Sequence, residues 1–325
     1  MKTAKTPGKL DGFIPVAVET LRSSDDLDFD LYFPPDGPNA AKLYRERSVP
    51  VQTGDFNRLL AQGIETLYIP AVMARAYREH LKRYVLNDES VPIGNRFRLL
   101  KEAARVTFYQ ALRSGDTGSI TSIAQELGEQ LAHLLNRNDL LLSDMVSVML
   151  HDYSTYTHIT HVATYGLMLA VKLGITDGRE LVEIAKGGLL HDIGKRFISL
   201  DILEKPGRLD SGEQRLIRDH PRCGFSELCF RDEMSWGALM MVYQHHERCD
   251  GTGYPVGFVD AEIHPWAKIC AIADVFDAMS SDRSYHSGKS VSEVCEYFAR
   301  QSGLAFDKDM VQCWNTMIES TLQPS

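Results

Sequence analysis

Along residues 13–70 the apolar positions come in short β-prone runs, at 13–18, 29–33, 43–44, 49–51 and 66–69. Pro34, Pro35, Asp36, Gly37 and Pro38 break the series as a turn, and the last run stops at Pro70. Among these strands Thr53 reads as the cap of a short helix with apolar positions Phe56, Leu59 and Leu60, ended by Gly63. Beyond residue 71 the apolar spacing lengthens to three and four, which predicts helices over 71–85, 96–113 and 119–135, with loop signals at 87–95 and 114–118. From 140 to 317 nearly every periodic segment is helical, broken near 174–178, 205–212, 250–265 and 280–290. The expected fold class is therefore mainly α. A loose arm (1–12) leads to a small N-terminal α+β regulatory or docking module (13–70), a helical connector (71–139) and a C-terminal all-helical bundle (140–325).

Composition narrows the function more than the fold. The 325 residues are 44% apolar and 24% charged, as in an ordinary globular protein. Lys and Arg number 35 against 44 Asp and Glu, a net charge of −9, so no basic excess exists to neutralise a nucleic-acid polymer or an anionic membrane. Lys172 interrupts the apolar run 166–175, no stretch is long enough to insert in a membrane, and the first ten residues lack a signal-peptide core. The chain reads as cytoplasmic. Its six cysteines, at 223, 229, 249, 270, 295 and 313, form no CxxC pair and read as reduced thiols.

Histidine is the uneven feature: nine of the eleven fall between His151 and His286. His158, the pair His191 and Asp192, His220, and the pair His245 and His246 sit in or at the end of separate predicted helices, followed by Asp274 and Asp277. Facing helices of a bundle can turn such residues inward, and mixed His and carboxylate ligands suit iron, manganese or zinc. The glycines and proline of 250–257 build a tight loop directly after His245 and His246, placed to line the mouth of a site.

The segments His191-Asp192-Ile193-Gly194-Lys195, His220-Pro221-Arg222-Cys223-Gly224, His245-His246-Glu247 running to Gly253-Tyr254-Pro255, and Ala273-Asp274-Val275-Phe276-Asp277, with Asp282-Arg283-Ser284-Tyr285, resemble the HD-GYP family in order and spacing. The resemblance covers about residues 140–318. It implies an HD-type helical bundle that binds two or three metal ions, usually iron, and hydrolyses the bacterial messenger cyclic di-GMP to pGpG or on to GMP. Carried over residue by residue, it implies His158, His191, Asp192, His220, His245, His246 and Asp274 as metal ligands, with Asp192 bridging. Three-metal members carry a Glu one turn before the first His; Ser154 stands there, so two divalent ions are expected, iron or alternatively manganese, with Asp152 nearby.

By the same resemblance Lys195 and Arg283 hold the substrate phosphate. His286 stands where a second basic residue often follows, and Gly253, Tyr254 and Pro255 border the substrate and offer a surface to signalling proteins. Two metals can activate water for in-line attack, so no covalent nucleophile is required. Lys195 and Arg283 would offset the developing charge, while Asp277 would orient a ligand or Lys195. The competing reading is a catalytically slow receptor or scaffold for a cyclic dinucleotide that uses the same site. A third is hydrolysis of another nucleotide, such as a hybrid cyclic dinucleotide. The N-terminal module fits docking or homodimer formation.

Overall fold

The computed structural model describes residues 12–21, 27–33, 42–50, 52, 54–81, 83, 96–97, 100–101, 104, 115–135, 155–203, 205, 207–281 and 288–322. The chain divides into two units, Met1–Gln110 and Ala111–Ser325.

In the first unit, buried and half-exposed positions alternate along β1 (Phe13–Ala17), as a strand with one face on a core requires. With β2 (Leu31–Tyr32), β3 (Leu43–Arg45) and β4 (Thr66–Pro70) it makes an antiparallel sheet in the order β1-β4-β2-β3. β1 and β4 run in register from Phe13 opposite Pro70 to Ala17 opposite Thr66. Helices α1 (Asp55–Ala61) and α2 (Ala74–Leu81) complete the core, with Phe56, Leu59, Tyr77 and Leu81 buried among Ile14, Val16, Phe29, Leu67 and Ile69.

Three details differ from the sequence expectation. Val49 and Pro50 lie in an exposed bend and not a strand, and Val51 lies outside the described residues. The residue preceding α1 is Gly54, at φ 93°, a left-handed conformation that suits glycine; Thr53 lies outside the described residues. Ala74–Leu81, expected in the connector, packs its apolar stripe onto the sheet's core because Tyr77 and Leu81 share one helical face. Gly63, at φ 77°, does end α1.

The second unit is helical: α3 (Thr117–Leu135), α4 (Thr155–Lys172), α5 (Gly178–Leu190), α6 (Ser211–Arg218), α7 (His220–Leu228), α8 (Trp236–Gln244), α9 (Pro265–Ser280), α10 (Val291–Gln301) and α11 (Lys308–Leu322). Side-chain caps begin several of them. Asp177 accepts from Arg179 and Glu180 N–H, Ser235 accepts from Ala238 N–H, and Asp210 with Glu213 and Ser290 with Glu293 form reciprocal capping boxes. Residues 157–170 of α4 are buried on every side, so α4 is the central post of the bundle. α5 and α9 pack against it, and α3 and α8 pack against α5. A floor of Tyr165, Phe276, Phe298 and Trp314 in edge-to-face contacts joins α4, α9, α10 and α11. Among the described residues no helix is long and apolar enough to cross a membrane.

Candidate metal centre

The chemistry-bearing side chains stand on helices or directly after their ends. α5 finishes at Leu190, and the chain turns at His191 and Asp192 into a short 3-10 segment, Ile193–Phe197. Gly194 lets that segment lie against α7: a Cβ there would fall on the His220 carbonyl and within 2.6 Å of Gly224 N. His220 opens α7, His245 and His246 follow α8, His158 stands on α4, and Asp274 and Asp277 stand one turn apart on α9.

Four histidines share one orientation. The Nδ1 of His191 donates to the Gly188 carbonyl at 2.7 Å, that of His220 to the Ile217 carbonyl at 2.7 Å, and that of His245 to the Met241 and Val242 carbonyls at 3.0 and 3.1 Å. His158 Nδ1 donates to Asp277 Oδ2 at 2.7 Å. These partners place a ring proton on Nδ1 and turn each Nε2 inward, with a lone pair on those of His191, His220 and His245. The lone pairs converge. Nε2 of His220 and Nε2 of His245 face each other at 3.2 Å, and the buried Nε2 of His191 has no hydrogen-bond partner.

Asp192 divides this cluster in two. Its Oδ1 lies 3.2 Å from His220 Nε2 and 3.9 Å from His245 Nε2, while Oδ2 lies 3.4 Å from His191 Nε2 and 3.8 Å from His158 Nε2. Asp274 Oδ1 joins the second group, 3.2 Å from His158 Nε2 and 4.0 Å from His191 Nε2. Donor atoms of Asp192, His220, His245 and His246 come within 4.8 Å of one another, as do those of His158, His191 and Asp192. Lone pairs facing one another in a buried site repel, and buried carboxylates lack solvation; a cation between them answers both. The donor set fits divalent metal.

The electrostatics agree. Burial alone would raise Asp192, yet Lys195 and His191 beside it hold its carboxyl well below the usual range. Burial pushes His245 well below the ordinary imidazole value, helped by its histidine neighbours, and pushes His246 down to about 4. Neutral imidazole is the form that ligates a metal. At His158 burial acts downward, but Asp274 and Asp277 overcome it and lift the ring to about 10, so this corner favours positive charge.

The structure brings all seven expected ligand residues together: His158, His191, Asp192, His220, His245, His246 and Asp274. Lys195, half-exposed, sits 2.5 Å from Asp192 Oδ2. Asp277 contacts His158, where the sequence left it a choice between a ligand and Lys195. Its other oxygen accepts from His161 Nδ1 at 2.7 Å. In the loop, Tyr254 stacks on His246 with ring centroids 4.6 Å apart and 25° between planes, and its N–H donates to the His246 carbonyl at 3.1 Å. Gly253 presses against Glu247 and Arg248, where a Cβ would lie 2.5 Å from backbone atoms, and Pro255 follows through a cis peptide bond. Arg283, His286, Ser154 and Asp152 lie outside the described residues.

Three contributors were missed from sequence. Glu247, buried, accepts from the N–H groups of Val256, Gly257 and Phe258 at 2.8–3.1 Å and so ties the loop to the ligand pair it follows. His161 is the second partner of Asp277. Arg218, two residues before His220, lies over the Tyr254 ring at 4.6 Å. Their signal was spacing alone, directly after His246, one turn after His158 and half a turn before His220.

Comparison with known proteins gives the same direction. A profile of the HD domain matches residues 121–310. A cyclic di-GMP phosphodiesterase of Pseudomonas aeruginosa is 35% identical over 203 residues, 62% of this chain and 48% of that protein. The cyclic di-GMP phosphodiesterase response regulator RpfG of Xanthomonas campestris is 33% identical over 189 residues, 57% of this chain and 50% of that one. A 3'3'-cGAMP-specific phosphodiesterase 3 of Vibrio cholerae is 35% identical over 159 residues, 49% of this chain and 34% of that one. The chain thus spans about half the length or less of these relatives. Among solved structures, the HDG"Y"P protein Bd1817 of Bdellovibrio bacteriovorus superposes with a TM-score of 0.67 at 19% identity, covering 94% of this chain and 99% of that one, a likeness of fold.

Proposed function

The chain belongs to the HD domain family, of the HD-GYP type, and on that footing we propose that it is a di-metal phosphodiesterase that hydrolyses cyclic di-GMP to pGpG or on to GMP. The observation that carries this reading is the division of Asp192, one oxygen toward His220 and His245 and the other toward His191 and His158. A carboxylate shared in that way suits two ions held close together, with His220, His245 and His246 on one and His158, His191 and Asp274 on the other. Bound there, iron or manganese would supply Lewis-acid stabilisation of the phosphodiester and an activated water.

The chain's own residues prepare the site for that chemistry. Asp277 and four backbone carbonyls fix the rings of His158, His191, His220 and His245 with Nε2 inward, so these four need not reorient when an ion arrives. Tyr254 holds the plane of His246. Lys195 neutralises Asp192 from the solvent side and, half-exposed, would meet a substrate phosphate at the rim. Val256, exposed on the same loop, offers a surface to a signalling protein.

The test is anaerobic reloading of purified protein with ferrous or manganous ion, followed by separate incubation with cyclic di-GMP and 3'3'-cGAMP and chromatography of the products. Metal-dependent formation of pGpG and GMP over many turnovers is expected. Replacing His191 and Asp192 together by Ala should abolish turnover and lower bound metal while helical circular dichroism is kept; full activity in that variant sinks the site. Preference for 3'3'-cGAMP would move the substrate to the hybrid dinucleotide, and tight binding without turnover would favour a receptor.

A further inference from the structure

Arg218 ends α6 on the protein surface with its guanidinium over the ring of Tyr254 at 4.6 Å, and Tyr254 in turn stacks on His246. His246 belongs to the converging donor group. A cation is therefore fixed, through one aromatic layer, beside a site whose donors are arranged for further cations. Other basic side chains around the site have carboxylate partners: Lys195 has Asp192, Arg196 has Glu227, Lys205 has Glu213, Arg222 has Asp219 and Arg248 has Asp250. Among the described residues Arg218 has neither a hydrogen bond nor an ion pair; its carboxylate neighbour Asp219 is turned to Arg222 at 3.6 Å.

Stacking on an aromatic face orients a guanidinium without using its N–H groups, and leaves its planar fork of five donors directed outward. A fixed fork of this kind matches the oxygens of a phosphate, where a flexible lysine would supply only a point charge. Placing it next to implied metal ions costs like-charge repulsion unless an anion lies between them. We propose that Arg218 is a substrate-binding residue, which together with Tyr254 grips the phosphate of a cyclic dinucleotide that is not being cleaved. The inference rests on the phosphodiester reading above and adds to it a second anchor for a substrate with two phosphates. It assigns Tyr254 a double part, as platform for Arg218 and as brace for His246. Because the fork lies outside the ligand set, it governs how the dinucleotide is held and not how metal is bound.

The experiment compares metal-reloaded wild-type protein with Arg218→Met and Arg218→Lys, using cyclic di-GMP and 3'3'-cGAMP as probes, in turnover and in equilibrium dialysis. Methionine keeps the length and apolar contact of the side chain and removes the charge. For Arg218→Met the expected result is a rise in KM and in Kd of about tenfold or more, the range for losing a charge-assisted contact. The change in kcat should be smaller, metal per chain should match the wild type, and Arg218→Lys should recover part of the affinity. The wild-type KM should also rise more steeply with salt than that of Arg218→Met, a dependence that a purely structural side chain would not produce. Unchanged KM and Kd in Arg218→Met overturn the proposal, as does loss of metal in step with KM, which would make the residue a support for His246. A wild type that binds the dinucleotide without cleaving it defeats the enzyme reading alone, and the Kd ratio still decides Arg218. Turnover with a KM independent of Arg218 defeats the anchor alone. A wild type that neither binds nor cleaves defeats both.

Discussion

Asp277 offers one oxygen to each of two imidazoles, to His158 Nδ1 and to His161 Nδ1, both at 2.7 Å, and also accepts from the Ser281 hydroxyl at 3.2 Å. It is buried and, with these donors around it, held well below the usual carboxylate range despite the opposing effect of burial. An amide cannot replace it, because one of its two ends is an NH2 group that would face a ring N–H. Asp277→Asn should therefore turn or retautomerise one histidine and weaken metal binding by about 10- to 100-fold, with helical content kept. Competition against a graded chelator measures this, and an unchanged affinity would show that Asp277 does not orient the site. The seven inward-facing residues were legible because His and Asp are rare in a buried helical pattern and their order matched a known family. His161, the second partner of Asp277, was not, since it lies 116 positions earlier and the crossing of α4 with α9 joins them. Of the two partners the sequence left open for Asp277, a ligand or Lys195, the structure shows the ligand His158, while Lys195 bonds Asp192 three residues before it on the same turn.

At the scale of elements, the helical periodicity gave the bundle and glycine gave its punctuation, but hydrogen bonding inside the loop after α8 could not be read. Gly251 and Gly257, at φ 73° and 88°, mark the turns of that loop, and Asp250 receives the Thr252 N–H within it. Its anchor is Glu247, which in sequence stands in a charged stretch that reads as surface. In the fold it is buried under three amide donors. Glu247→Gln swaps one acceptor oxygen for a donor and removes the charge that strengthens these bonds. Amides of Val256, Gly257 and Phe258 should then exchange with deuterium about tenfold faster or more, while metal stoichiometry stays the same. Hydrogen exchange read by mass spectrometry checks this; equal protection in the variant would mean that the backbone alone holds the loop. The N-terminal unit makes the converse point. Of the strand expected at 49–51, Val49 and Pro50 form an exposed bend, and Tyr77 and Leu81 show their allegiance only once a sheet exists to receive them.

Over the whole molecule, the net charge of −9 concerns solubility and long-range partners, whereas the metal centre is a local matter set within a few ångström. Its effect on stability can be isolated, because the three tryptophans, Trp236, Trp266 and Trp314, all belong to the helical unit and Trp314 is fully buried in its aromatic floor. Tryptophan fluorescence therefore follows the unfolding of that unit and not of the sheet-bearing one. In the metal-free protein the unit must hold the Nε2 lone pairs of His220 and His245 face to face and keep Asp192 and Asp274 largely buried, with Lys195 beside Asp192. An ion that binds this folded cluster and not the unfolded chain stabilises by about 2.7 kcal/mol at a hundredfold excess over its dissociation constant. For a unit of this size each kcal/mol moves the midpoint by roughly 2–4 °C, so saturating manganese should raise the fluorescence-detected Tm by about 5–10 °C and a chelator should reverse the shift. In the His191→Ala and Asp192→Ala double variant the shift should vanish, since both donor groups lose a member. A Tm that ignores manganese in wild-type protein would mean that the converging lone pairs are not a metal site, and the phosphodiesterase reading would fall with it.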